Sequence, residues 1–92
     1  MTGLTTSALV VLNHLVDKGP MTPKQIRGEV DLSQRTVGDA LRRLTDTRLC
    51  KKVPNLRDMR QPLYYPNKDR MREMDINLDH VRALMSIHMK VA

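Results

Sequence analysis

The sequence contains no tryptophan and no phenylalanine, and its only aromatic side chains are two tyrosines. Single-stranded nucleic acid is gripped largely by bases stacking on aromatic rings, and two adjacent tyrosines are too few for that task. A lone cysteine excludes an internal disulfide. With three scattered histidines, it also leaves no ligand set for structural zinc. No apolar run approaches the ~18 residues of a membrane-spanning helix. The start, Met1-Thr2-Gly3-Leu4, has neither the charge nor the long apolar stretch of a secretory leader. These absences fit a reducing cytoplasm and no membrane partner. No glycine-rich phosphate loop is present, and no nucleophile stands at a recognisable spacing from a base. The carboxylates Asp75 and Asp79 fall on what reads as a solvated helix face. Neither an enzyme nor a cofactor nor a metal is therefore expected.

What the chain does have is localised charge. Its 92 residues are enough for one domain with a thin core. The formal net charge is +6. Between Ser33 and Arg60 stand eight bases (Arg35, Arg42, Arg43, Arg48, Lys51, Lys52, Arg57, Arg60) against three acids (Asp39, Asp46, Asp58), so that segment carries +5 of the total. A concentrated basic stretch is the electrostatic footprint of a polyanion partner. Basic residues also solvate ordinary surfaces, so charge alone does not decide the matter.

The chain reads as helices, then a hairpin, then helix again. Thr5 caps a first helix, Thr6 to about Asp17, whose Ala8, Val11, Leu12 and Leu15 share one face. Gly19-Pro20 ends it, with Gly19 suited to a left-handed cap. His14 reads as a partly exposed residue of this helix. Thr22-Pro23-Lys24-Gln25 is a capping box with proline at the first helical position, and opens a second helix that stops near Val30. Ser33 caps a third, to about Asp46, with Val37, Ala40, Leu41 and Leu44 inward. Leu49 to Val53 alternates like a half-buried strand. Leu63-Tyr64-Tyr65 is its partner, with the tyrosines packing the hairpin onto helices one and three. Pro54 and Pro62 bound a connection with Arg57, Asp58 and Arg60 near its tip. The fold class is thus mainly α with a small β-hairpin (α+β): a winged helix-turn-helix over 4–66, followed by a C-terminal helical segment, 67–92.

The residues also resemble a family. Val11-Leu12-Asn13-His14-Leu15, then Met21-Thr22-Pro23-Lys24-Gln25-Ile26, then Leu32 to Leu44 look like the MarR/ArsR-type winged-helix transcriptional regulators. Asp58-Met59-Arg60 is similar to the acidic-x-Arg element of the MarR wing. The resemblance spans about Leu4 to Pro66. It implies a left-handed residue between the third helix and the first wing strand, where the family usually has glycine and this chain has Arg48. It also implies double-stranded DNA as the partner and Arg60 as the wing contact, with Asp58 holding its guanidinium.

On this reading the recognition helix, 33–46, enters the major groove. Ser33, Gln34, Arg35 and Thr36 stand at its base-reading end. Gln34 suits adenine, and Arg35 and Arg42 suit guanine. Gly38 leaves room for close approach. Asp39 either accepts from a cytosine amino group or, the favoured reading, orients Arg35 and Arg42 by an ion pair, since a pair with Arg35 one turn away needs no partner. Arg43, Lys51 and Lys52 suit phosphates. Arg57 and Arg60 place the wing, 54–62, at the minor groove or backbone. Thr22 and Lys24 offer further backbone contacts. Cys50 is a candidate redox switch if Lys51 and Lys52 lower its pKa, although a small buried residue is the plainer reading.

Met71, Met74, Leu78, Val81, Met85 and His88 follow a heptad seam, and a homodimer is expected to form through it. Packing on the chain's own domain is the alternative. Asp75-Ile76-Asn77 is a possible break, so one helix or two stays open. The expected function is sequence-specific duplex binding by a small dimeric regulator, its small-molecule effector, if any, unknown. The alternatives are a protein-interaction winged helix of a larger complex and a non-specific architectural DNA-binding protein.

Overall fold

The computed structural model describes residues 4–76 and 78–79. The elements run α1 (Thr6–Lys18), α2 (Pro23–Glu29), α3 (Gln34–Asp46), β1 (Cys50–Val53), β2 (Leu63–Pro66) and α4 (Lys68–Glu73). Each of the first three helices begins where a side-chain oxygen accepts an orphan backbone N–H. Thr5 Oγ1 accepts from Ala8 N at 3.1 Å, and Ser33 Oγ from Thr36 N at 3.1 Å. Thr22 and Gln25 complete a reciprocal capping box, at 2.9 and 3.2 Å. Such caps each stabilise a helix by about 1 kcal/mol, which matters for α2, only 7 residues long. Gly19 ends α1 at φ 88, ψ −169. The φ is positive as expected, but the ψ lies outside the left-handed helical basin, in a region that essentially only glycine enters.

Helix α1 packs chiefly on α3, α2 on α3, and the hairpin on α1 and α3. Val10, Val11, Leu12, Leu15, Ile26, Val30, Val37, Leu41, Leu44 and Leu49 are buried in one core. His14 belongs to that interior and is 1% exposed, contrary to the partly exposed position expected of it. Its Nδ1 donates to the Val10 carbonyl at 3.1 Å, one helical turn back.

The exit from α3 explains why Arg48 tolerates φ 62. Leu49 N donates to Leu44 O at 2.8 Å, and Arg48 N to Thr45 O at 3.0 Å. This is the Schellman pattern, in which a left-handed residue lets two terminal carbonyls find donors. Leu44 and Leu49, the apolar pair that accompanies it, are both fully buried. A non-glycine residue in this conformation costs about 1–2 kcal/mol, which the two hydrogen bonds and the buried pair offset.

The same exit alters the strand. Leu49 N closes the helix end while its carbonyl accepts from Asn67 N at 2.8 Å, and Leu49 and Cys50 are both buried while Lys51, Lys52 and Val53 are exposed. The alternation expected over 49–53 is therefore absent. β1 and β2 pair antiparallel in the register Lys51↔Tyr65 and Lys52↔Tyr64. A third segment joins them: Met21 and Tyr64 exchange backbone hydrogen bonds of 3.3 and 2.9 Å, stitching the α1–α2 connection to the hairpin. Tyr64 packs on the core as expected. Tyr65, on the other face of the strand, is exposed instead.

The chain breaks after α4. Ile76 N donates to Met71 O at 3.0 Å and Asp75 N to Arg72 O at 3.1 Å, with Asp75 at φ 54. This second Schellman ending stops the heptad seam from running down one straight helix; the helical path resumes at Leu78. Met71, Met74, Ile76 and Leu78 are partly buried against the domain's own core. Val81, Met85 and His88 lie outside the described residues.

Candidate nucleic-acid interface

Amphipathic α3 turns its apolar face to the core and presents Gln34, Arg35, Gly38, Arg42 and Arg43 to solvent. Its outer side lines an open groove formed by Arg35, Thr36, Gly38, Asp39 and Arg42 together with Thr5 and Ser7 from the start of α1. Five of the residues expected to bind DNA are thus brought to one concavity. Thr5 and Ser7 are additions that only the tertiary packing of α1 on α3 supplies. A Cβ built on Gly38 would meet nothing within 4 Å. No packing contact therefore accounts for glycine in the middle of this helix.

Ser33 and Thr36 bind each other as well as the backbone, with Ser33 Oγ donating to Thr36 Oγ1 at 2.8 Å. Asp39 pairs with Arg42, one of the two arginines expected, and with Arg43 in place of Arg35. Its Oδ1 accepts from Arg42 Nη2 and its Oδ2 from Arg43 Nε, both at 2.9 Å. Arg43, then Arg42, hold its carboxyl below the usual carboxylate range. On a helix, an acid interacts better with a base placed three or four residues after it than with one before it. Arg35 makes no ion pair among the described residues and keeps its guanidinium fork available.

In the wing, Arg60 Nε donates to Asp58 Oδ1 at 3.1 Å, the pairing that the resemblance implied. The arginine holds the Asp58 carboxyl below its usual range. Lys51 and Lys52 diverge, because successive strand residues face opposite ways. Lys52 shares a shallow depression with Val53, Pro54, Met59, Arg60 and Pro62. Lys51 lies in another, with Tyr65, Lys68 and Asp69. Lys24 is exposed at the start of α2. Thr22 is only 8% exposed, and its hydroxyl serves the capping box, so it is poorly placed for a phosphate.

Cys50 does not have the low-pKa setting that a redox switch needs. It is buried, and burial pushes its thiol up despite the Thr45 hydroxyl 3.5 Å away. The neighbouring lysines are exposed and do not reverse that effect.

No protein-family model matches the chain, and no curated protein matches it either. Solved structures do. BpsR of Bordetella bronchiseptica, whose DNA binding is regulated by 6-hydroxynicotinic acid, superposes with a TM-score of 0.74 at 21% identity, over 91% of this chain and 59% of its own. YusO of Bacillus subtilis gives 0.71 at 22% identity, over 92% and 60%. The chain therefore spans about three-fifths of the length of these two neighbours. The capped helix-turn-helix, the hairpin stitched to Met21 and these superpositions together establish the fold as a winged helix.

Proposed function

We propose that the protein binds double-stranded DNA sequence-specifically as a dimeric transcriptional regulator, with α3 in the major groove and the wing at the minor groove or backbone. The observation that carries this reading is the groove along α3. It gathers Arg35, Thr36, Gly38 and Arg42 on the exposed side of a helix whose other side is core. The segment that supplies it, 33–60, carries most of the excess positive charge. BpsR, with the same fold, is a DNA-binding protein. Arg35 and Arg42 read bases, while Arg43 and Lys52 fix register on phosphates. Asp39 holds Arg42 and Arg43 in place. Dimerisation would use the C-terminal segment and whatever of its apolar surface the core leaves uncovered. A two-fold dimer sets its recognition helices about 34–36 Å apart, so the operator is expected to be a pseudo-palindrome.

The test is an anisotropy titration of the full chain with random-sequence duplex at several salt concentrations, with mass measured by light scattering. The expected result is a dimer whose log K falls linearly with log salt, with a slope of several units at about 0.9 per phosphate contact. Absence of salt-dependent binding at micromolar protein would return the basic face to a protein partner. A monomer that binds DNA would retain the groove and remove the dimer.

Gly38 gives a second test with effects of opposite sign. Glycine within a helix costs about 0.5–1 kcal/mol relative to alanine. Gly38→Ala therefore raises thermal stability, because the space at this position is open. If the groove admits DNA closely there, the same substitution weakens duplex binding. Higher stability with unchanged affinity would show that DNA does not approach Gly38.

A further inference from the structure

The two most exposed large apolar side chains among the described residues stand on the wing tip: Leu56 at 89% and Met59 at 69%. A single exposed leucine needs no explanation. These two, however, are three residues apart on one short connection and interleaved with Arg57 and Arg60. The tip is also internally braced. Asp58 N donates to Asn55 O at 3.1 Å and Gln61 N to Asp58 O at 3.0 Å. The Asn55 and Asp58 side chains accept from Arg57 N and Arg60 N, each at 3.1 Å. Two consecutive turns thus hold Leu56 and Met59 out in water instead of folding them back on the core. Met59 shares its depression with Lys52 and Arg60. Arg57 makes no ion pair among the described residues. The apolar tip is rimmed by cations, which is the charge complement of a phosphate-lined groove.

We propose that Leu56 and Met59 form a wedge that enters the minor groove and partly unstacks a base step, so that binding bends the duplex. Minor-groove proteins use leucine and methionine in this way, with flanking arginines engaging the groove walls, and the bend is directed away from the wedge toward the major groove. Arg57 and Arg60 steer the tip onto the phosphates, and the apolar pair supplies the deformation. Pyrimidine–purine steps, which unstack most readily, are the favoured points of entry. The wedge rests on the duplex-binding reading above and adds to it a mechanical consequence and a preference at positions without polar base contacts.

The experiment uses the full chain and a random-sequence duplex carrying a fluorophore pair at its ends, with 2-aminopurine at TA steps in a parallel duplex. The wild-type protein is expected to bend the DNA by about 20° or more and to raise 2-aminopurine fluorescence. The L56S/M59S double variant, its fold verified by circular dichroism, is expected to lose both signals. It should still bind, with its log K–log salt slope unchanged, since no phosphate contact has been removed. Arg57→Ala should show the converse, a slope shallower by about 1. Wild-type binding without bending overturns the wedge and leaves the duplex reading intact. Full bending by the serine variant overturns the assignment to Leu56 and Met59. If the serines change the oligomeric mass while bending persists, the tip is a contact between copies of the chain, and the wedge is likewise overturned. Absence of any duplex binding removes both readings.

Discussion

Replacing Arg35 with alanine is expected to weaken binding to a selected operator by about 1–3 kcal/mol, roughly 5- to 150-fold, while changing affinity for random duplex much less. Arg35 stands in the first turn of α3, exposed and beside the groove. It makes no ion pair among the described residues, so its planar fork can meet the two acceptors of a guanine edge without first leaving an internal carboxylate. Arg43 is expected to behave differently. Asp39 holds it along the helix, and Arg43→Ala should weaken all sequences alike and reduce the salt slope by about 1. Competition titrations with operator and random DNA separate the two patterns. A uniform loss on replacing Arg35 would make it a phosphate contact and move the base readout elsewhere on α3.

Leu44→Ala is expected to destabilise the domain by about 2–5 kcal/mol. A domain of this size has roughly 5–14 kcal/mol in total, so the thermal midpoint should fall by about 10–30 °C. Leu44 is fully buried, and its carbonyl accepts the Leu49 N–H that closes the helix end. Truncation leaves a cavity beneath the element that positions the groove. Leu56→Ala is the control: the side chain is 89% exposed, and a change of no more than about 0.5 kcal/mol is expected. Calorimetry or denaturant melts of both variants give the comparison. A small effect at Leu44 would mean that the α1–α3 core can collapse around the missing atoms.

Helix starts and the core face of α3 were readable from residues because their causes are local. Thr5, Thr22 and Ser33 act within three residues of themselves, and Val37, Ala40, Leu41 and Leu44 follow the helical period. What escaped depends on distant partners. The bridge from Met21 to Tyr64 leaves no pattern in a one-residue segment. The burial of His14 follows from where the remaining elements close over α1. The pairing of Asp39 with Arg42 was read, and its choice of Arg43 over Arg35 was readable in principle, through the preferred order of charges along a helix. The left-handed Arg48 was legible only by comparison with a family that places glycine there. The second such residue, Asp75, had no comparable signal. At the interface, the charged side chains of α3 and the wing could be read from composition and helical phase. The contribution of Thr5 and Ser7 to the groove could not, since it arises from the packing of α1.

The end of α3 and the start of α4 are joined more tightly than their distance in sequence suggests. Arg70 Nε donates to Thr47 O at 2.9 Å, and Asn67 Nδ2 to Arg48 O at 3.0 Å. Asn67 N donates to Leu49 O at 2.8 Å. Residues at the start of α4 therefore hold the three carbonyls of the Thr47–Leu49 connection by which the chain leaves α3. In thermodynamic terms, if displacing α4 changes how α3 seats in DNA on the proposed reading, linkage requires DNA binding to shift the α4 equilibrium by the same factor. Amide exchange at Asn67, whose N–H is one of the three hydrogen bonds of this clasp, would report directly whether it opens when DNA is added.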